Sequence, residues 1–199
     1  RIHGSAVAIF FGLILAYNGG GSKGLASIPL FAYVGLMGGA MFRDFAIVST
    51  AFGADLREIK KVGVIGVLSL VMGLVISWVA GVIVAYAFGY RDTISIITIA
   101  AGVCTFVVGP VTGAALGASS EVIAIGIAAG VVKSVAVMII TPLVAKPLGL
   151  TNPQAAMVFG GLMGTTSGTA AGMAAVDPKL VPYAAMTATF YTGSGCLTF

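Results

Sequence analysis

Gly160 to Asp177 reads GGLMGTTSGTAAGMAAVD, with no charge before the final aspartate. Glycines recur at Gly160, Gly164, Gly168 and Gly172, and the hydroxyls of Thr165, Thr166, Ser167 and Thr169 crowd the middle. A helix broken here would leave amides and carbonyls unpaired. Inside a membrane that is tolerated only where protein or a water-filled cavity satisfies them. Half-helix N-termini carry roughly half a positive charge and free N–H donors, which suit an anion. Unwound carbonyls and hydroxyls suit a cation such as Na+, as in many secondary transporters. The competing reading is that Gly and Ala here only let helices pack closely.

A second segment, Gly109 to Ser120 (GPVTGAALGASS), echoes the first. Shifted by 55 residues, Gly109 falls on Gly164, Thr112 on Ser167, Gly113 on Gly168 and Gly117 on Gly172. Pro110 lacks a backbone donor and opposes helix continuation, so a first half-helix is expected to end near Val108. Between the two segments lies Lys133, close to the centre of an apolar run. A lysine there costs about 2.5–3.5 kcal/mol on insertion scales, so it either faces a substrate or serves as an ion-pairing or carbonyl-capping group. The candidate substrate-binding residues are Gly109, Thr112, Gly113, Lys133, Thr165, Thr166, Ser167, Gly168 and Thr169. The candidate ion-binding residues are Ser119, Ser120, Thr165 and Ser167. Glu121 and Asp177, at the far ends of the two segments, read as helix-end or interface residues.

Composition sets the class. The 199 residues are 59% hydrophobic and only 8% charged, with a mean hydropathy of +1.12. Soluble domains carry about 25% charge, so this is an all-α integral membrane protein and a single transmembrane domain, residues 1–199. One His and two Cys exclude a Cys/His metal cluster and a disulfide framework. The net charge of +4 fits loops on the cytoplasmic side better than nucleic-acid binding. Ser167 stands in T-S-G rather than G-x-S-x-G, so hydrolase chemistry has no support and the chain reads as a non-enzyme.

About seven transmembrane segments are expected, two of them broken helices or re-entrant hairpins. Ala6–Tyr17 is short for a span, and Asn18–Gly24 resembles an engineered linker. Ile28 to about Ala54 is interrupted by Arg43 and Asp44, and Asp55–Lys61 reads as an interfacial loop. Val62–Tyr90, with Trp78, is a clean structural span. Thr93 to Glu121 and Gln154–Asp177 hold the two breaks, with Val122 to about Val144 between them. Ala184–Phe199 carries Thr187, Thr189, Tyr191 and Thr192, whose hydroxyls either face the same cavity or bond back to their own helix. The chain opens on Arg1 and closes on Phe199 inside an apolar run, so both ends read as trimmed. If both broken segments cross, Lys and Arg distribute five against three between the two faces; if the second is re-entrant, four against four. The positive-inside rule therefore mildly favours crossing.

The runs GLMGGAMFRDFAIVSTAFG, GPVTGAALGASSEVIA and VFGGLMGTTSGTAAGMAAVDPKLVPY, closing on TATFYTGSGC, resemble the MadM subunit family of bacterial malonate transporters over nearly the whole chain. The resemblance implies Na+-coupled malonate uptake across the bacterial inner membrane as a multi-pass protein. It also implies a smaller membrane subunit, MadL, as partner; a homo-oligomer stays open, and Na+ enters as coupling ion rather than cofactor. The layout is more distantly similar to LrgB/CidB-type proteins, which implies the alternative function, a holin-like or export-regulating membrane protein.

Overall fold

The computed structural model describes residues 56–198, together with isolated positions between 11 and 29. The readings of Ala6–Tyr17, of most of Asn18–Gly24 and of Ile28–Ala54, with Arg43 and Asp44, lie outside the described residues. Between 56 and 198 the chain is all helical: α1 Leu56–Ala87, α2 Thr93–Cys104, α3 Val108–Leu116, α4 Ser120–Val144, α5 Pro153–Met163, α6 Thr166–Ala174, a 3-10 turn at Pro178–Leu180, and α7 Val181–Thr198. Among the described residues two stretches are long and apolar enough to cross a membrane, Gly63–Ala87 and Ser120–Val144. The expected spans that fall among the described residues therefore become long helices and paired half-helices.

Helix α1 begins earlier than the sequence suggests. Asp55–Lys61 reads as a loop, but Leu56 onward is helical up to a sharp kink at Gly63, whose φ of 44° and ψ of −128° suit a residue without Cβ. At the other end Arg91 donates to the carbonyls of Tyr86 (3.0 Å) and Tyr90 (3.1 Å), beside α1's last residues, and lies 4.6 Å over the Tyr86 ring. These carbonyls lie at and just beyond the end of α1, where helix acceptors run out of intrahelical donors.

The two broken segments are hairpins, and the glycines show it. A Cβ at Gly109 would meet Gly102 Cα at 2.7 Å, and one at Gly113 would meet Thr98 Cγ2 at 2.8 Å. Rising numbers on α3 thus meet falling numbers on α2, so α3 returns antiparallel along α2. Gly126 of α4 lies on the Thr98 carbonyl and Gly130 on the amide of Phe106, so α4 runs parallel to α2. Gly126 and Gly130 are thus close-packing points, and the backbones of Gly102 and Gly126 meet where neither can carry a side chain.

The second hairpin is more splayed. Gly168 and Gly172 of α6 pack on Ser134 and Thr141 of α4, which makes α6 parallel to α4. Gly160 and Gly164 of α5 pack on Ala184 and Tyr191 of α7, which makes α5 parallel to α7. Were α5 and α6 one straight rod, α7 would begin far beyond Gly164, since each helical residue advances about 1.5 Å. Instead Ala184 lies beside Gly160, and Met173, from the end of α6, shares a buried cluster with Ala156, Phe159 and Ala184. The chain therefore enters by α5 and leaves by α6 on the same face.

Because α4 crosses between them, the two hairpins enter from opposite faces. Hairpin 1 (α2–α3) lies on the first half of α4 and hairpin 2 (α5–α6) on the second. Helix α1 serves both, with Gly81 against Ala100 of α2 and Gly73 against Gly161 and Leu162 of α5. The structure corrects the repeat. Asp92 and Asn152 are the caps that precede α2 and α5, and Thr93 and Pro153 their first residues. Thr105 and Thr165 accept from the amides three residues on. Each pair is 60 residues apart, not 55. The 55-residue match aligns Gly109, inside α3, with Gly164, which ends α5; a glycine-rich composition produces such coincidences. Pro110 likewise does not end the first half-helix. That helix stops at Cys104, and Pro110 sits in the first turn of α3, where a missing N–H is no loss.

Candidate functional site

The hairpin tips meet at the middle of α4. Tip 1 is the extended break after Cys104, with Thr105 at φ −150° and ψ 150°. Its Oγ1 accepts from the Val108 amide at 3.3 Å and starts α3. Tip 2 is Gly164 and Thr165. Gly164 adopts φ 60° and ψ 33°, ending α5, and Thr165 caps α6 by accepting from the Gly168 amide at 3.4 Å. Thr165 is a hydroxyl N-cap of the ordinary kind, while Thr105 stands two residues before Val107, the N-cap of α3; both stand where chain ends would be costly without partners.

Two consecutive residues of α4 hold the tips. Lys133 Nζ donates to the carbonyl of Cys104, the last residue of α2, at 2.9 Å, and to Ser77 Oγ of α1 at 2.9 Å. Ser134 Oγ lies 2.6 Å from Thr165 Oγ1 at tip 2, both buried. Tyr191 of α7 joins the assembly from a third side. Its hydroxyl donates to the Gly73 carbonyl at 3.2 Å and lies 3.3 Å from Cys104 Sγ. Its ring sits under Gly164 and 5.1 Å from the Lys133 ammonium. One fully buried tyrosine thus touches both tips, α1 and α4.

The electrostatics follow from helix direction. The N-termini of α3 and α6 both begin at the tips and bring partial positive charge to the centre. The C-terminus of α2 also ends there, and Lys133 neutralises its carbonyl. The partners that Lys133 makes are neutral, so its charge is not cancelled by a carboxylate among them. Beside it opens a groove of about 680 Å³ between α1 and α4, reaching Val103 at tip 1 and Leu162 and Met163 at tip 2. Its walls are apolar except for Ser77 and Lys133. Among the described residues no group of three or more His, Cys, Asp or Glu comes together, so candidate cation ligands are hydroxyls and carbonyls.

The sequence-derived residues divide. Lys133, Thr165 and Gly168 lie at the centre, and Gly168 faces the Ser134 backbone. Thr166 is partly buried and 3.5 Å from Thr189 of α7. Thr169 is wholly buried, but its hydroxyl is spent on the carbonyl of Thr165 at 2.7 Å. Gly109 and Gly113 are packing points between α2, α3 and α4, and Thr112 is buried on α3. Ser167 is exposed. Ser119 and Ser120 are at the outer end of α4, where Ser119 accepts from the Val122 amide at 3.4 Å. Thirteen residues of helix separate Ser120 from Lys133, roughly 20 Å at 1.5 Å per residue, so the two serines are remote from the tips. Glu121 accepts from Tyr90 at 3.4 Å and Asp177 caps the 3-10 turn through the Lys179 amide, as helix-end residues do.

Sequence reasoning missed Ser77, Thr105 and Ser134 and did not single out Tyr191. The hydroxyls of Thr187, Thr189 and Thr192 do bond back to their own helix, at 3.1, 2.9 and 3.1 Å. Tyr191 is too long to do so, and that was the available signal. Thr98 of α2 is wholly buried, and its Oγ1 has no hydrogen-bond partner.

Comparison with known proteins gives one result. A family profile described as the malonate/sodium symporter MadM subunit matches residues 1–199. No curated protein matches, and no solved structure matches.

Proposed function

The chain belongs to the MadM family of malonate/sodium symporter subunits, and on that premise we propose that malonate and Na+ are bound where its two hairpin tips meet at Lys133 and Ser134. Membership makes the protein a membrane-embedded transporter subunit rather than an enzyme, working with a partner subunit. That partner we take to be a smaller membrane protein of the MadL type.

The observation that carries the reading is the convergence of two oppositely inserted half-helix pairs on an ammonium with no carboxylate partner among the described residues. Malonate is a dianion at neutral pH. The N-termini of α3 and α6 and the Lys133 ammonium supply positive charge from three directions. Thr165 and Thr166 stand beside them to orient carboxylate oxygens. An inverted pair of broken helices around a midplane site is the arrangement through which alternating access works in several transporter folds.

The same geometry orients the protein. With both hairpins re-entrant, Arg57, Lys60, Lys61, Lys146 and Lys179 fall on the face where α1 and α5 begin, and Arg91 alone falls on the other. Five against one, counted over the described residues, supports an orientation with the five-residue face in the cytoplasm. Hairpin 1 is then the external gate and hairpin 2 the internal one.

Uptake of labelled malonate into vesicles holding this chain and its partner subunit tests the site. Lys133→Ala is expected to lower kcat/KM at least ~100-fold, since it removes the ionic partner of a carboxylate, worth about 3 kcal/mol. Ser119→Ala and Ser167→Ala are expected to leave uptake unchanged. Undiminished saturable uptake by Lys133→Ala would remove the site from the tips.

A further inference from the structure

The Lys133 ammonium is bound as a free cation would be. It lies 2.9 Å from the Cys104 carbonyl and 2.9 Å from Ser77 Oγ, against the face of the Tyr191 ring. The carbonyl belongs to the last residue of α2, so it is an acceptor without an intrahelical donor at the negative end of a half-helix dipole. Hard oxygen atoms from a carbonyl and a hydroxyl are what a small monovalent cation takes in place of water. The side chain fills this place from α4 across to α1 and α2, with a groove open beside it.

We propose that Ser77 Oγ and the Cys104 carbonyl are two ligands of the Na+ site, and that the Lys133 ammonium occupies this site as a tethered substitute until substrate arrives. This rests on the reading that malonate binds at the tips. A carboxylate at the N-termini of α3 and α6 draws the ammonium out of its niche. The vacated carbonyl and hydroxyl then face a cavity with one positive charge fewer, and Na+ enters. Neither ion is favoured alone: without malonate the ammonium excludes Na+, and without Na+ the niche retains the ammonium that malonate needs. Coupling of this kind is reciprocal, each ligand tightening the other by the same factor.

The test measures binding of radioactive Na+ to the purified symporter, this chain with its partner subunit, with and without malonate. In the wild-type protein malonate is expected to tighten Na+ binding by about tenfold or more. Lys133→Met, which keeps length and removes charge, is expected to bind Na+ at least about tenfold more tightly without malonate and to lose the response to malonate. Ser77→Ala, with Lys133 intact, is expected to weaken malonate-dependent Na+ binding at least about tenfold while malonate binding at saturating Na+ stays unchanged. If Lys133→Met binds Na+ no better than wild type and Ser77→Ala leaves Na+ binding intact, the niche is not a Na+ site. If Lys133→Met fails to fold, the Ser77→Ala result alone decides. Failure of the underlying reading looks different: malonate binding itself would then survive Lys133→Met.

Discussion

Gly164→Ala measures how closely tip 2 is fitted to Tyr191. Two costs are separable. The first is conformational: at φ 60° and ψ 33° an L-residue costs roughly 1–2 kcal/mol more than glycine. The second is steric. A Cβ at Gly164 would run into the Tyr191 ring at Cζ and Cε1, and come within 2.6 Å of Cε2. The ring cannot withdraw freely, because its hydroxyl donates to the Gly73 carbonyl and accepts from Cys104 Sγ. Overpacking of this kind costs about 1–3 kcal/mol, so the total is about 2–5 kcal/mol. Gly117 supplies the control. It has φ 70°, and an added Cβ there meets nothing within 4 Å, so Gly117→Ala should cost only the conformational part. Thermal unfolding in detergent reads the difference. At about 2–4 °C per kcal/mol for a chain of this length, Gly164→Ala should melt roughly 2–12 °C below Gly117→Ala. Tyr191→Leu, too short to reach the new methyl, should bring the cost of Gly164→Ala down to that of Gly117→Ala. Equal melting of the two alanine variants, or no relief from Tyr191→Leu, would refute the contact.

Four further outcomes follow from the same geometry. Thr98→Val exchanges an unpartnered buried hydroxyl for a methyl, so it should be neutral or stabilising by up to about 1–3 kcal/mol in chemical denaturation; a loss would mean that Oγ1 has a partner in the working protein. Thr165→Ala removes both an N-cap and the bond to Ser134, and should cost about 1–2 kcal/mol. Ser134→Ala added to it should then cost little more, and additivity would separate the two hydroxyls. The Ser95 amide, held at 2.8 Å, keeps the Asp92 carboxyl below the usual carboxylate range. This cap is therefore fully present above the ordinary aspartate pKa of about 3.9 and lost as pH falls through the depressed one; amide exchange at Ser95 should quicken there while Ala155, capped by neutral Asn152, is unmoved, and equal quickening would count against the assignment. In a Cys196→Ser background, Ser119→Cys should react with impermeant thiol reagents from outside the cell and Lys146→Cys only after permeabilisation, with the reverse pattern inverting the topology.

The class of the protein was legible in composition, and the meeting point of the two hairpin tips in two residue types. A lysine at mid-membrane and a threonine-rich break are costly features, and both Lys133 and Thr165 lie at the tips. What composition could not carry was direction. Whether a broken helix continues or folds back depends on contacts between segments far apart in sequence, such as Gly113 on Thr98 and Gly160 on Ala184. The true repeat was hidden because its equivalent positions share roles rather than identities: Asp92 and Asn152 are caps and Thr93 and Pro153 first residues, whereas the visible glycine pattern aligned positions with different tasks. Ser77 and Ser134 each stand alone in an apolar helix, where a serine is as often bonded back to its own turn as to anything else. Only the partner across the interface distinguishes the two.

The two tips are held by bonds of different kinds, and this bears on the order in which they open. Tip 2 is fastened by a neutral hydroxyl pair, Ser134 with Thr165, whose members are both buried. Tip 1 is fastened by an ammonium on a carbonyl, a charge-assisted bond and roughly twice as strong. An anion competes only weakly for the first bond, because the hydroxyl donors of that bond carry no charge. It competes directly for the second, since the ammonium is what it seeks. If the proposed site holds, a dianion arriving at the centre loosens hairpin 1 more than hairpin 2. In the proposed orientation, with the basic face in the cytoplasm, hairpin 1 is the one open to the outside, and the substrate would act on the gate through which uptake begins. Release on the inner side requires the opposite: Lys133 must return to the Cys104 carbonyl and close tip 1. Tyr191, in contact with both tips, is the side chain through which that closure reaches Gly164.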